Sequence, residues 1–353
     1  MSKYKYSDKK IVWFPEKLQS FVSGKITAPI YVRIKPLNAC NHKCYWCVYH
    51  ESDLSDMHKD MKNKDMISED KMLEIIDDLS SIGVEAVTYS GGGEPLMHPS
   101  IEKILQKTLH KNIALSVITN GQFLKNDIAS ILAKSSWIRV SVDYCDEDSF
   151  VFSRRINKVF FKEIFNNIYE FSKIKENSCD LGVNFIITKD NFHNLNYVTN
   201  LLKDCGIDNI RFSPMWITNF QEYHKPIKNE IFKKIDELRI LENDKFKIYS
   251  SYNPSVIENM VTTRPYKKCY VMQYNPVIGA DLNVYACHNQ AYSHDSIITS
   301  LKDKTFTEAW FSKEATEFHN NFECQKICTG QCASDRKNLF IHDLLLAQGD
   351  SFI

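Results

Sequence analysis

The sequence predicts an α/β fold: a parallel sheet of six βα units, open or curled into a partial barrel, followed by a small cysteine-rich module. Two observations carry this. From about residue 30 to 215, short apolar runs alternate with amphipathic stretches, as in strands that each lead into a helix covering the sheet. Beyond residue 264 the periodicity fades while cysteines accumulate, as expected of a segment held by metal rather than by a large core. The length agrees, since 353 residues exceed one small core and suit a large domain with an appended module.

An N-terminal extension, residues 1–27, precedes the first strand at 30–36. Further strands are expected at 86–89, 114–118, 138–142, 181–187 and 209–213, with helices between them at 69–80, 101–110, 127–134, 160–174 and 195–205. In the first helix Leu73, Ile76 and Leu79 recur among Asp and Glu, giving one apolar face for the sheet. These units make residues 28–215 the core. Residues 216–263 are more polar and read as a connector with a helix at 229–242 and a strand at 246–252. The module takes 264–353, has weak secondary structure, and closes on a short helix at 341–347.

Lys plus Arg and Asp plus Glu balance at 44 each, which argues against a non-specific nucleic-acid binder, whose usual footprint is a basic excess. No apolar run reaches the ~18 residues of a membrane span, and the start MSKYKYSDKKIVWF lacks the apolar stretch of a secretory signal. A cytoplasmic protein is expected. Its eleven cysteines, an odd number, are then no disulfide framework. Cys40, Cys44 and Cys47 form one group, and Cys269, Cys287, Cys324, Cys328 and Cys332 a second. Cys145, Cys179 and Cys205 stand alone and suit buried thiols, whereas two groups point to metal.

The first group follows the first strand with spacing C-x3-C-x2-C. Three thiolates on a short loop hold three corners of a cubane iron–sulfur cluster and leave one iron open, where an electron carrier supplies four. Zinc with His42 or His50 as fourth ligand is the rival. The second strand runs into Gly91-Gly92-Gly93-Glu94-Pro95. Glycines there allow close backbone approach and positive φ, and Glu94 adds a carboxylate. No Gly-Lys-Ser/Thr follows, so this is not a nucleotide phosphate loop.

This cysteine spacing, with Trp46 just before the third cysteine, resembles the radical S-adenosylmethionine (radical SAM) superfamily, and the GGGEP loop strengthens the likeness. The resemblance implies a partial (β/α)6 TIM-like barrel with its site at the C-terminal ends of the strands. It implies a 4Fe–4S cluster on Cys40, Cys44 and Cys47 that binds S-adenosylmethionine and reductively cleaves it to a 5′-deoxyadenosyl radical. It places Trp46 near the adenine, and Gly91, Gly92, Gly93 and Glu94 at the methionine amino group. Ser141, in Ser141-Val142-Asp143, falls near the ribose or carboxylate, and Thr119-Asn120-Gly121 matches a loop common in the family. Arg154, with Arg155 as an equal neighbour, matches an arginine that pairs the methionine carboxylate.

The C-terminal cysteines resemble the auxiliary-cluster modules called SPASM or twitch. The run Asp281 to Cys287 is similar to a family hairpin, with Leu282 where glycine is usual. The resemblance implies one auxiliary 4Fe–4S cluster on Cys269, Cys287 and two of Cys324, Cys328 and Cys332, with structural zinc as the rival. Cys145, just past the fourth strand, is either a hydrogen-atom donor, as in radical SAM epimerases, or a small residue packed at the barrel rim. His50, His58 and His98 read as surface residues. The expected activity is hydrogen-atom abstraction from a small-molecule or carbohydrate substrate, ending in oxidation or epimerisation, with a flavodoxin- or ferredoxin-type reductant. A peptide-modifying maturase is the second reading. A nucleic-acid-modifying radical SAM protein, or a non-catalytic iron–sulfur or zinc protein, is the third.

Overall fold

In the first strand, β1 (Tyr31–Ile34), Val32 and Ile34 are buried while Arg33 between them turns into a cavity. This period-two alternation sets one apolar face under helices and leaves the other for chemistry. The computed structural model describes residues 7–51, 58–258, 263–328 and 332–347. Five more strands follow as expected, each end within two residues: β2 (Ala86–Tyr89), β3 (Ala114–Thr119), β4 (Trp137–Ser141), β5 (Asp180–Ile187) and β6 (Asn209–Pro214). All pair in parallel and in chain order, so their C-terminal ends open on one side, as in a partial TIM-like barrel.

The sheet is larger than the sequence suggested. A seventh parallel strand, β7 (Lys247–Ser250), lies on β6, so the stretch read as a connector completes one edge. This is the strand expected at 246–252; only Ile248 of it is buried, so its polar flanks gave no sign that it joins the sheet. On the other edge, β8 (Val277–Ile278) pairs in parallel with β1, and β9 (Asn283–Tyr285) and β10 (Ile297–Ser300) extend it antiparallel. The resulting ten-stranded sheet is continuous across residues 215 and 264. The C-terminal segment is therefore not weak in secondary structure. Its last described helix, Asp335–Leu346, begins six residues before the expected start at 341.

The helix Glu69–Ser81 is capped by Ser68, whose hydroxyl accepts from Lys71 N, one of the orphan amides at a helix start. It buries Met72, Ile75, Ile76 and Leu79, the i, i+3, i+4, i+7 stripe of a 3.6-residue turn. Leu73 lies half-buried at the margin of that stripe. The N-terminal extension is no free arm. Ile11 and Phe21 pack against Ile341, Tyr270 and Tyr274, and the Trp310 indole donates to Thr27 O at 3.0 Å.

Candidate active site

A cavity of about 310 Å³ opens at the C-terminal ends of the parallel strands. Cys40, Cys44, Cys47 and Trp46 border it from the loop after β1, and Ser90, the three glycines and Glu94 from the loop after β2. Asn120, Ser141 and Asp143 reach it from β3 and β4, and Ile186 and Trp216 from β5 and beyond β6.

The glycine loop lies close against the Asn38 side chain and the Ala39 backbone rather than bending through positive φ. Gly91, Gly92 and Gly93 are absent from the left-handed glycines, which are Gly24, Gly83, Gly121 and Gly206 among the described residues. That corrects the expectation of positive φ. What excludes a side chain is space: a Cβ on Gly92 would lie 2.2 Å from Asn38 Oδ1, and one on Gly93 1.8 Å from Ala39 O. Two bonds, Gly93 N to Leu37 O at 3.2 Å and Glu94 N to Ala39 O at 3.0 Å, fasten this loop to the start of the cysteine loop.

Glu94 is buried and accepts from Thr119 Oγ1 (2.7 Å), Asn120 N (2.7 Å) and Leu96 N (3.1 Å). Burial pushes its carboxyl up to about 7, against the pull of these donors. A carboxylate has about four acceptor positions, so Glu94 ties the second and third loops together with one position left for a ligand. The third loop is also bound to the first: Asn120 Nδ2 donates to Asn41 Oδ1 at 2.7 Å, and Asn41 Nδ2 to Gln122 Oε1 at 2.6 Å.

Arg154 is held by the protein itself. Nη2 donates to Asp143 Oδ2 and to Ser141 O, each at 2.6 Å, and Nη1 to Cys44 Sγ at 3.2 Å. Its guanidinium carbon lies 5.5 Å from the Trp46 ring. Ser141 thus contributes its carbonyl to this clamp. Arg155 points elsewhere, to Glu51 at 2.8 Å, which separates the two neighbours. Burial raises the Asp143 carboxyl to about 6, offset by Arg154 and by the Ile186 amide.

Burial pushes the Cys40 thiol up to about 12 and Cys47 to about 11, so a bound metal's positive charge is needed to hold them as thiolates. N–H donors already point at sulfur, from His42 N to Cys40 (3.5 Å) and from Arg154 to Cys44, the kind of contact that tunes iron–sulfur clusters. The histidines weighed as zinc ligands turn away: His42 Nε2 meets Gln122 Oε1 at 3.0 Å, and His50 Nε2 donates to Gly92 O at 3.2 Å. His58 and His98 are buried, donating to Ala291 O and Ile67 O, so the surface reading of these two is corrected, while His50 is half-buried.

Cys269, Cys324 and Cys328 pack into one small cluster with Tyr266, Met272 and Ala286, the residue before Cys287, and Cys287 and Cys332 lie near enough to raise the Cys328 thiol. Here too donors face sulfur, Asn338 Nδ2 to Cys269 at 3.2 Å and Ser334 N to Cys332 at 3.4 Å. The Cys324 thiol instead donates to Tyr266 O and Lys267 O. Among the described residues no three Cys, His, Asp or Glu side chains close around a point for a single metal ion. Leu282 adopts φ +67°, the conformation glycine would take there, so the hairpin turn forms without one. Cys145 does not border the cavity. Its sulfur faces Asp146 Oδ2 at 3.5 Å and Ser149 Oγ at 3.7 Å, and the residue packs into the main core.

Sequence reading missed Arg33, Tyr49, Ser90, Trp216 and His288, all of which border the cavity. Arg33 and Lys35, two charges at i and i+2 in an apolar strand, were the available signal for an inward polar face.

An open parallel barrel whose strand ends gather three cysteines and a glycine loop defines a cofactor-binding enzyme of the iron–sulfur type. Residues 34–195 match the Radical SAM superfamily, and they are a radical SAM domain; its cofactors are S-adenosylmethionine and a 4Fe–4S cluster, which this thiol set fits. The chain is similar to an S-adenosylmethionine-dependent nucleotide dehydratase of Lacinutrix mariniflava, 23% identical over 230 residues, 57% of this chain and 45% of that one. It is also similar to a GTP 3′,8-cyclase of Clostridium perfringens, 27% identical over 224 residues, 61% and 65% of the two chains. The match spans about half the length of the first curated relatives. Among solved structures, SuiB of Streptococcus suis bound to S-adenosylmethionine shares the fold at TM-score 0.65 and 14% identity, over 91% of this chain and 77% of that one.

Proposed function

We propose that this radical SAM enzyme abstracts a hydrogen atom from a small-molecule or carbohydrate substrate held between the barrel and the C-terminal cysteines, and that the outcome is oxidation. In this reading Cys269, Cys287 and two of Cys324, Cys328 and Cys332 would hold an auxiliary 4Fe–4S cluster, which would supply a one-electron acceptor. The supporting observation is that one cavity is bordered both by Cys40, Cys44 and Cys47 and by His288, the neighbour of Cys287. The cofactor pair supplies a 5′-deoxyadenosyl radical by one-electron cleavage of the C5′–S bond. The protein's share is placement: Trp46 would face the adenine, the glycine loop and Glu94 would receive the methionine ammonium, and Arg154 steadies Cys44. Ile118, Ile186 and Trp216 give the cavity apolar walls that limit water.

Oxidation is preferred to epimerisation because Cys145 lies outside the cavity lining. The reductant is a flavodoxin- or ferredoxin-type protein. Among the described residues no helix is long and apolar enough to cross a membrane. A peptide substrate is the second reading, favoured by the likeness to SuiB, which was also solved with its precursor peptide SuiA. The test is incubation with deuterium-labelled cell extract, split into small-molecule and peptide fractions, followed by mass analysis of 5′-deoxyadenosine. Deuterium delivered by the small-molecule fraction is expected; delivery by the peptide fraction alone overturns the choice of substrate class.

A further inference from the structure

Lys35 follows β1, is completely buried, and shares the inward side of that strand with Arg33. A buried ammonium is costly unless compensated. Among the described residues its hydrogen bond goes to a phenol, Tyr49 Oη at 2.6 Å, and no carboxylate pairs with it. Its Nζ also lies 4.1 Å from the Tyr49 ring centroid and 5.0 Å from that of Tyr292. Lys35 does not border the cavity; Tyr49 and His288 do.

What surrounds Lys35 is the junction of the two cysteine sites. Tyr49 stands two residues after Cys47, and its Oη lies 3.2 Å from Nε2 of His288, the residue after Cys287. Tyr49 stacks on His58 at 4.2 Å, and His58 Nδ1 donates to Ala291 O at 2.6 Å. Tyr292 Oη donates to Asn38 Oδ1, just ahead of Cys40. The segment after Cys287 is thus stitched to the cysteine loop of the barrel on several sides of one ammonium. Burial, then the charge of Arg33, pushes the Lys35 ammonium well below the usual lysine range, and the sulfurs of Cys47 and Cys287 with the carboxylate of Asp281 pull it back; the negative charge of a thiolate-bound cluster at either site would hold the proton on.

We propose that Lys35 is a counter-cation shared by the two cysteine sites, stabilising the electron-rich state of the cluster at each. This rests on the reading that both sites hold iron–sulfur clusters. Cluster potentials follow net charge and hydrogen bonding around the sulfurs, and a charge in a low-dielectric interior acts over longer distances than one in water. Tyr49 keeps the ammonium in place, and His288 keeps Tyr49 in place. Lys35 is a positioning and potential-setting residue rather than a catalytic one.

The test uses reconstituted full-length protein without S-adenosylmethionine or substrate. Iron per chain is measured first, then the midpoint potentials of both clusters by redox titration followed by electron paramagnetic resonance. Lys35→Met keeps the shape and removes the charge; it should load iron as wild type does and shift both potentials negative by a tenfold change in the equilibrium, about 59 mV for one electron. Lys35→Arg should restore them, and Tyr49→Phe should give a smaller shift of the same sign. Unchanged potentials in iron-loaded Lys35→Met, or a shift at one cluster alone, overturn the shared role. If Lys35→Met takes up no iron, Tyr49→Phe decides instead, and unshifted potentials in that variant overturn the role equally. A wild-type count of about four irons rather than eight would instead remove the two-cluster reading and sharing with it, before any potential is measured.

Discussion

The guanidinium of Arg154 lies 3.2 Å from the sulfur of Cys44 and 2.6 Å from Asp143 Oδ2, so one side chain holds a cluster cysteine to the end of β4. Both partners of the ion pair are almost fully buried. Breaking such a pair by removing one member leaves the other charge stranded, at a cost of about 3–5 kcal/mol. Arg154→Ala should therefore lower the unfolding free energy by that amount and reduce iron uptake at Cys40, Cys44 and Cys47. Arg154→Lys keeps the charge but loses the planar fork, so it should fall between. Denaturant unfolding with an iron assay reads both, and wild-type stability in Arg154→Ala would contradict the clamp.

Changing Cys40, Cys44 and Cys47 together to Ala should remove about half of roughly eight irons and abolish reductive cleavage of S-adenosylmethionine. Iron analysis and chromatography of 5′-deoxyadenosine check this. Retained cleavage would place the active cluster elsewhere.

Much of this site was legible because its parts are local. Three cysteines within eight residues, and a glycine run ending a strand, need no tertiary information. The parallel topology then brings strand ends together without further signal. What stayed hidden was non-local. Nothing near Arg154 in sequence announces Cys44, 110 positions away. The strand expected at 246–252 forms as β7, but its place at the edge of the barrel sheet comes from its register with Asn209 and Arg211, which no local signal gives. The same holds for β8, two residues long and defined by Arg33 and Ile34 across from it. Leu282 shows the opposite limit: a residue with no local preference for φ +67° adopts it because the hairpin requires it.

Glu94→Ala should weaken S-adenosylmethionine binding while leaving iron near wild type. The carboxylate ties Leu96, Thr119 and Asn120 and faces the cavity. Charge-assisted hydrogen bonds contribute roughly 1.5–3 kcal/mol each, so losing the one to the methionine ammonium costs about tenfold or more in affinity. Calorimetric titration of the iron-loaded variant reads this, and an unchanged dissociation constant would show that the loop does not receive the methionine end.

Acid should destabilise the fold through buried neutral histidines. His319 is fully buried with neither ring nitrogen hydrogen-bonded among the described residues. Burial, then the charges of Lys17 and Lys268, lowers it from 6.5 to about 3. Between those values the unfolded chain binds a proton that the folded chain refuses. The stabilisation is thus complete above about pH 6.5 and is lost as pH falls toward 3, at about 1.4 kcal/mol per pH unit for each such proton. His42 and His58, also lowered to about 3, add to the slope. His319→Leu should flatten the pH dependence by one proton without lowering stability at pH 7. An unaltered slope would mean that His319 is protonated in the folded state.

The auxiliary site should be needed for product but not for uncoupled cofactor cleavage. Cys40, Cys44, Cys47, the glycine loop and Trp46 all belong to the barrel loops and border one cavity, so radical generation needs no C-terminal thiol. Cys269→Ala combined with Cys287→Ala should lose about four irons and all product, yet still form 5′-deoxyadenosine slowly under dithionite. Misfolding is the competing explanation, because metal-held segments often unfold without their metal. The structure limits that risk: β8 is anchored on β1, and Ile11 and Phe21 pack against Ile341, so the segment has contacts independent of any cluster. Circular dichroism at wild-type amplitude should precede the assay. A folded double variant that makes product at the wild-type rate would leave the C-terminal cysteines without a part in turnover, and the electron-acceptor reading would fall.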